Sequence, residues 1–117
     1  MDVFGNTALH LAAKNGHLSI VQFFSERKYL LDIKDYLGQT PLHLASSFGH
    51  LSVVKLLLEV GSNLETEDNR KETALHSAAK NGQAEIVKYL LEKNALHSLT
   101  NSSDMLPLHQ VFILKKL

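Results

Sequence analysis

Histidine is the residue of this chain whose type and spacing most suggest chemistry. His10, His43, His76 and His109 follow one another at intervals of 33 residues. Imidazole can bind zinc and can act as a general acid or base near neutral pH. The spacing therefore raises three alternatives: a metal site, a row of catalytic groups, or a structural element of a repeated fold.

A shared metal site and a catalytic row both conflict with the geometry that a repeat imposes. Equivalent positions on packed helices lie roughly 8–10 Å apart, whereas zinc needs its ligand nitrogens about 2 Å from one ion. The sequence also offers no nucleophile–base pair, phosphate-binding loop or convergent carboxylates. We therefore expect no metal, no cofactor and no enzymatic activity. We expect the histidines to bond backbone groups near threonine N-caps, and to weaken the fold in mild acid when they become charged.

Composition excludes several further classes of function. Twelve acidic and twelve basic residues cancel in a chain of 117 residues that contains no cysteine. This balance predicts no nucleic-acid or membrane-surface partner, and the missing cysteines rule out disulfides and thiolate chemistry. The start of the chain does not resemble a signal peptide, and no apolar run approaches the roughly 20 residues that span a bilayer. We expect a cytoplasmic protein, with the nucleus as an open alternative.

The histidines belong to a repeated phrase. "TALHLAAKNGH" begins at Thr7, "TPLHLASSFGH" at Thr40 and "TALHSAAKNGQ" at Thr73. We predict one domain over residues 1–117, made of repeats at about 2–34, 35–67 and 68–100 and a partial repeat at about 101–117. An internal period of this length is typical of repeat proteins, in which each unit buries its apolar face against the next.

Each unit is predicted to fold as a loop, a short helix, a turn and a second helix. Thr40 and Pro41 provide an N-cap and a first helical residue, and Gly49 ends the first helix in the left-handed conformation. The second helix of the second unit lies at about Ser52 to Val60 and ends at Gly61. Asn94 occupies the equivalent position in the third unit, where we expect it to end the helix.

The repeat resembles the ankyrin repeat family. The matching residues are Asp35, Gly38, "TPLH" at 40–43, Ala45, "GH" at 49–50, "VVKLLL" at 53–58 and Gly61. The resemblance implies an all-α solenoid of antiparallel helix pairs with projecting β-turn or hairpin loops. It also implies binding of other proteins through the loop tips and the concave face of the first helices. Lys71 and Asp104 replace the glycines at positions 5 and 38, which predicts different turns in those loops.

Positions at which the repeats differ are the candidates for partner binding. Apolar and aromatic residues stand at exposed loop positions of the first two units, whereas the third unit is polar and charged, an arrangement typical of a binding hot spot and its rim. The predicted partner-binding residues are Val3, Phe4, Asn6, Lys14, Tyr36, Leu37, Gln39, Phe48, Asn69, Arg70, Glu72, Lys80 and Asn81. The alternative is that the apolar residues cap the end of the stack or fold onto their own loops.

The sequence thus favours a non-catalytic protein-recognition scaffold with a protein partner. Two alternatives remain: a regulatory or targeting segment of a larger enzyme or channel, and a structural spacer that self-associates through its uncapped apolar ends. The apolar ends also favour a fragment of a longer repeat protein over a complete, capped one.

Overall fold

The computed structural model describes the backbone of residues 1–100 and the side chains of residues 1–93. Within this part of the chain, the helices are α1 (Ala8–Asn15), α2 (Leu18–Ser25), a 3₁₀ helix (Lys28–Asp32), α3 (Pro41–Ser47), α4 (Leu51–Glu59), α5 (Ala74–Lys80) and α6 (Ala84–Thr100). No strand occurs in the same residues. The predicted all-α repeat solenoid is therefore confirmed.

The first helix of each unit begins at the predicted threonine. The backbone N–H of Thr7, Thr40 and Thr73 donates to Nδ1 of the histidine three positions later, over 3.0–3.1 Å. In the first two units the threonine hydroxyl also accepts from the backbone N–H of that histidine. In these two units the helix start thus has two of its exposed backbone groups satisfied locally, which fixes where the helix begins.

The core lies between successive units. α3 packs between α1 and α5, and α4 packs against α2 and α6. Small residues allow this close approach, since Ala13, Ala45 and Ala78 are completely buried. Helices of seven to nine residues are unstable alone in water, so their stability comes from this stacking.

One predicted helix end is wrong. α6 continues through Asn94 to Thr100, because Ala95 and Leu96 are good helix formers and neither glycine nor proline follows to break the helix. In the first unit, Lys28 stands where glycine ends the second helix of the second unit. The second helix of the first unit ends at Ser25, and Lys28 begins a separate 3₁₀ helix.

The predicted partial repeat at 101–117 lies outside the described residues. Among the residues that the structure describes, no helix is both long enough and apolar enough to cross a membrane.

Candidate functional site

Three loops, which we call the fingers, project from the starts of the first helices at residues 2–6, 35–39 and 68–72. In finger 2 the N–H of Gly38 donates to the Asp35 carbonyl, and the N–H of Asp35 donates to the Gln39 carbonyl, both over 2.9 Å. The Asp35 carboxylate accepts from the N–H of Leu37 and Gln39 at 2.9 and 2.8 Å. These bonds close a tight turn and leave the two tip side chains free.

Finger 3 has the same turn, contrary to the prediction from Lys71. Lys71 adopts the left-handed conformation at φ 63°, and its N–H donates to the Asp68 carbonyl at 2.9 Å. The Asp68 carboxylate accepts from the N–H of Arg70 and Glu72. Because the aspartate organises the turn, a lysine can be held in a conformation that costs roughly 1–2 kcal/mol for an L-residue.

The fingers are bonded to one another through their backbones. The N–H of Tyr36 donates to the Phe4 carbonyl at 2.9 Å, and the N–H of Asn69 donates to the Leu37 carbonyl at 3.0 Å. The Tyr36 ring lies against Gly5, where a Cβ atom would come within 2.7 Å of the ring. The backbones of the tips therefore form one continuous edge, and the Tyr36 ring lies along it against Gly5.

The histidines connect successive units. His43 Nδ1 accepts from the Thr40 N–H at 3.1 Å, and Nε2 lies 2.8 Å from the Glu72 carbonyl. His10 makes the equivalent bond to the Gln39 carbonyl at 2.9 Å. Since a carbonyl can only accept, Nε2 carries the proton and the ring is the neutral Nε2–H tautomer.

Burial favours the neutral form of the His43 and His76 rings. It lowers the pKa of His43, against the opposing effect of the bond to the Glu72 carbonyl. Burial also lowers the pKa of His76, against the raising effect of the nearby Glu72 carboxylate. Both nitrogens of His10 and His43 are occupied by protein groups, and no metal-binding group of histidines and carboxylates occurs among the described residues. The structural role of the histidines is therefore supported by the geometry.

The predicted apolar residues lie at the finger tips and at the end of α3. Tyr36 is 68% exposed and Leu37 is 59% exposed, so they do not fold onto their own loop. Val3 and Phe4 are also exposed. Phe48 is exposed beside Lys14, whose Nζ lies 5.3 Å from the ring centroid, within the range of a cation–π interaction.

A groove of about 240 Å³ lies between fingers 2 and 3 and the ends of α3 and α5. Glu72 and Lys80 form an ion pair of 3.0 Å at its side, and Asn81 donates to the Ser47 hydroxyl. The exposed Arg70 forms no ion pair with any described residue. The groove is lined by seven of the predicted partner-binding residues, which are Leu37, Gln39, Asn69, Arg70, Glu72, Lys80 and Asn81.

Asn6 is buried, although it was predicted to be exposed with the other partner-binding residues. It is only 6% exposed, and its amide donates to the Asp2 carboxylate at 3.2 Å. The backbone N–H of Asn6 also donates to Asp2 and is the largest cause of the lowered pKa of that carboxyl. Asn6 therefore helps to shape finger 1.

Two structural roles were missed by the sequence reasoning. The aspartates at 2, 35 and 68 organise the turns, and their 33-residue period together with the turn preference of aspartate was the available signal. His50 Nε2 lies 2.9 Å from the Lys14 carbonyl, and Gln83 Nε2 donates to the Ser47 carbonyl at 3.0 Å. In the second and third units, the residue after the turn glycine thus caps the first helix of the preceding unit.

Comparison with protein families agrees with this architecture. A family model described as ankyrin repeats in three copies matches residues 1–68, and one described as ankyrin repeats in many copies matches residues 59–110. A comparison with curated proteins finds no match.

Proposed function

This chain belongs to the ankyrin repeat family, and we propose that it recognises a protein partner through its finger tips and the groove behind them. Ankyrin repeats are generally protein–protein interaction modules and are typically non-catalytic. The proposal assigns the binding surface to the predicted residues other than Asn6. Asn6 is excluded because it is buried beneath the surface that a partner would contact.

One observation carries the proposal: exposed apolar side chains stand on a rigid edge beside a polar groove. Tyr36 and Leu37 remain exposed even though backbone bonds fix their positions on both sides. A partner would bury these side chains without first having to order the loop, and such preorganisation lowers the cost of binding. Aromatic residues surrounded by polar groups are typical of interface hot spots.

The groove would orient the partner. Arg70 offers unpaired donors for a carboxylate or a backbone carbonyl, while the Glu72–Lys80 pair and the Asn81 amide offer both kinds of hydrogen-bonding group. Charged groups at such a rim contribute specificity more than affinity. We therefore place the hydrophobic contact at fingers 1 and 2 and the polar contact at finger 3.

The test compares two triple variants of equal composition. Tyr36→Ser, Leu37→Ser and Phe48→Ser together remove one tyrosine, one leucine and one phenylalanine from the proposed surface. Tyr29→Ser, Leu18→Ser and Phe23→Ser remove the same residue types from exposed positions away from the fingers. We expect the first variant to lose partner capture from the native cell, whereas the second retains it.

Circular dichroism should show unchanged helicity in both variants, because all six residues are exposed. Capture retained by the finger variant, at wild-type yield, would refute the proposed surface. Capture lost only by the second variant would move the interface to α2 and the 3₁₀ helix of the first repeat.

A further inference from the structure

The tips of fingers 2 and 3 carry an apolar residue and a cation at equivalent positions. Leu37 and Arg70 are one 33-residue step apart in the sequence, and both residues are exposed. The N–H of Asn69, next to Arg70, donates to the Leu37 carbonyl at 3.0 Å. The two side chains therefore stand on adjacent tips that are joined by the backbone, at the edge of the groove that both of them line.

Arg70 is a cation whose charge no carboxylate in the described part of the chain pairs with. The carboxylates of its own finger are engaged elsewhere. Asp68 accepts from the backbone N–H groups of Arg70 and Glu72. The Glu72 carboxylate pairs with Lys80 at 3.0 Å. The five N–H donors of the guanidinium are therefore available to an incoming group.

The charges that line the groove favour a carboxylate as that incoming group. Both carboxylates of the groove have partners, whereas the guanidinium of Arg70 has none. Arginine binds a carboxylate through two parallel N–H bonds, and such charged bonds are roughly twice as strong as neutral ones. An acidic side chain would complete the set of charges, and a basic one would be repelled by the unpaired guanidinium.

The repeat register sets the spacing between the two contacts. Equivalent positions in successive repeats lie roughly 8–10 Å apart, so this is the step from Leu37 to Arg70. In an extended polyproline II segment, residues three positions apart lie about 9 Å from each other on the same face. Such a segment, lying along the tips, would reach both positions with side chains that are about three residues apart.

We infer that the partner presents an extended acidic segment to fingers 2 and 3. An apolar side chain of this segment packs on Leu37, and an aspartate or glutamate about three residues away pairs with Arg70. The inference rests on the proposed function and adds the chemistry of the partner to it. Charge complementarity at Arg70 carries the acidic residue, and the exposed Leu37 carries the apolar one.

Selection from a randomised library of short displayed peptides tests this inference on the full chain. We expect the enriched peptides to carry an acidic residue about three positions from a large apolar residue. Arg70→Glu should select a basic residue there instead, because the charge of the site is reversed. Lys88→Glu is the matched control. Lys88 is exposed on α6, outside the fingers and the groove, so this variant should select acidic peptides as the parent does.

Fluorescence anisotropy with one enriched peptide gives the size of the effect. Replacing its acidic residue by the corresponding amide should weaken binding to the parent about three- to tenfold. The same replacement should change binding to Arg70→Gln by less than about twofold, because the partner of the acidic residue is then absent. Glu72→Gln should strengthen binding about two- to threefold, since it removes a like charge and releases Lys80. Partial unfolding cannot produce such a gain.

The outcomes separate this inference from the proposed function. Apolar peptides without an acidic residue that fail to bind the Tyr36→Ser, Leu37→Ser and Phe48→Ser triple variant would overturn the acidic segment and leave the surface in place. Peptides that bind this variant as well as they bind the parent would refute the surface itself. A selection that enriches no peptide would overturn the inference, because the partner would then not be recognised as an extended segment.

Discussion

His43 connects two repeats, and its replacement by leucine isolates the contribution of those hydrogen bonds. Leucine fills a similar apolar volume but cannot bond the Thr40 N–H or the Glu72 carbonyl. Each of the two backbone groups left unpaired costs about 1–3 kcal/mol, and the added apolar burial offsets about 1–2 kcal/mol of the total. We expect His43→Leu to lower the free energy of unfolding by about 1–4 kcal/mol, a large part of the 5–15 kcal/mol that is ordinary for a domain.

Urea unfolding followed by circular dichroism at pH 7.5 measures this change. His17→Leu is the matched control, because His17 is exposed and the change should stay within about 0.5 kcal/mol of the parent. A His43→Leu chain as stable as the His17→Leu chain would refute the reasoning, since the bonds between repeats would then contribute nothing net. A loss in both variants would show that histidine matters for a reason unrelated to its partners.

Three further predictions concern titration and backbone geometry. The pKa of His43 in the folded chain lies below its ordinary value, so the unfolded chain binds the proton first as the pH is lowered. Stability that is present above about pH 6.5 is therefore lost in mild acid. Thermal melts from pH 7.5 to 5 should show this loss, and the loss should be smaller in His43→Leu. Gly38→Ala should lower the free energy of unfolding by at least about 1–2 kcal/mol, because φ is 80° and the new Cβ would lie 2.7 Å from the Asn69 backbone nitrogen. Lys71→Gly at the equivalent position should leave the free energy of unfolding equal or raise it by up to about 1 kcal/mol. Urea titrations measure both changes. Ser46→Ala should raise stability by about 1 kcal/mol, measured in the same way, because the buried Ser46 hydroxyl has no hydrogen-bond partner among the described residues. A loss of stability would contradict this.

The parts of the fold that recur with the 33-residue period could be predicted from the sequence. Thr40 begins α3 and Gly49 follows its end as expected, because capping depends on a few adjacent residues. The close stacking of the first helices could be predicted from their small residues. The structural role of His43 could be predicted because the repeat spacing conflicts with a shared metal site and with a catalytic row. The exposed positions of Tyr36 and Leu37 at a finger tip were also predicted correctly.

The errors arose where a local preference competes with more distant contacts. Lys71 was expected to change its turn, yet the Asp68 carboxylate and the bonds to finger 2 impose the conformation. Asn94 was expected to end a helix, although asparagine stops a helix only where the following residues favour stopping. Asn6 was assigned to the surface by its alignment in the repeat, and its burial depends on how the Asp2 side chain folds back within the finger.

The way in which the fingers are joined explains how stability and recognition can be separated in one short repeat. The bonds between fingers join the backbone N–H of Tyr36 to the Phe4 carbonyl and the backbone N–H of Asn69 to the Leu37 carbonyl. Backbone bonds of this kind do not depend on which side chain the residue carries. The tip residues can therefore differ between repeats without loss of the turn, whereas Asp35 and His43, whose side chains make the bonds, cannot. Tyr36 and Leu37 are therefore available for a partner, because the fold uses their backbones and not their side chains.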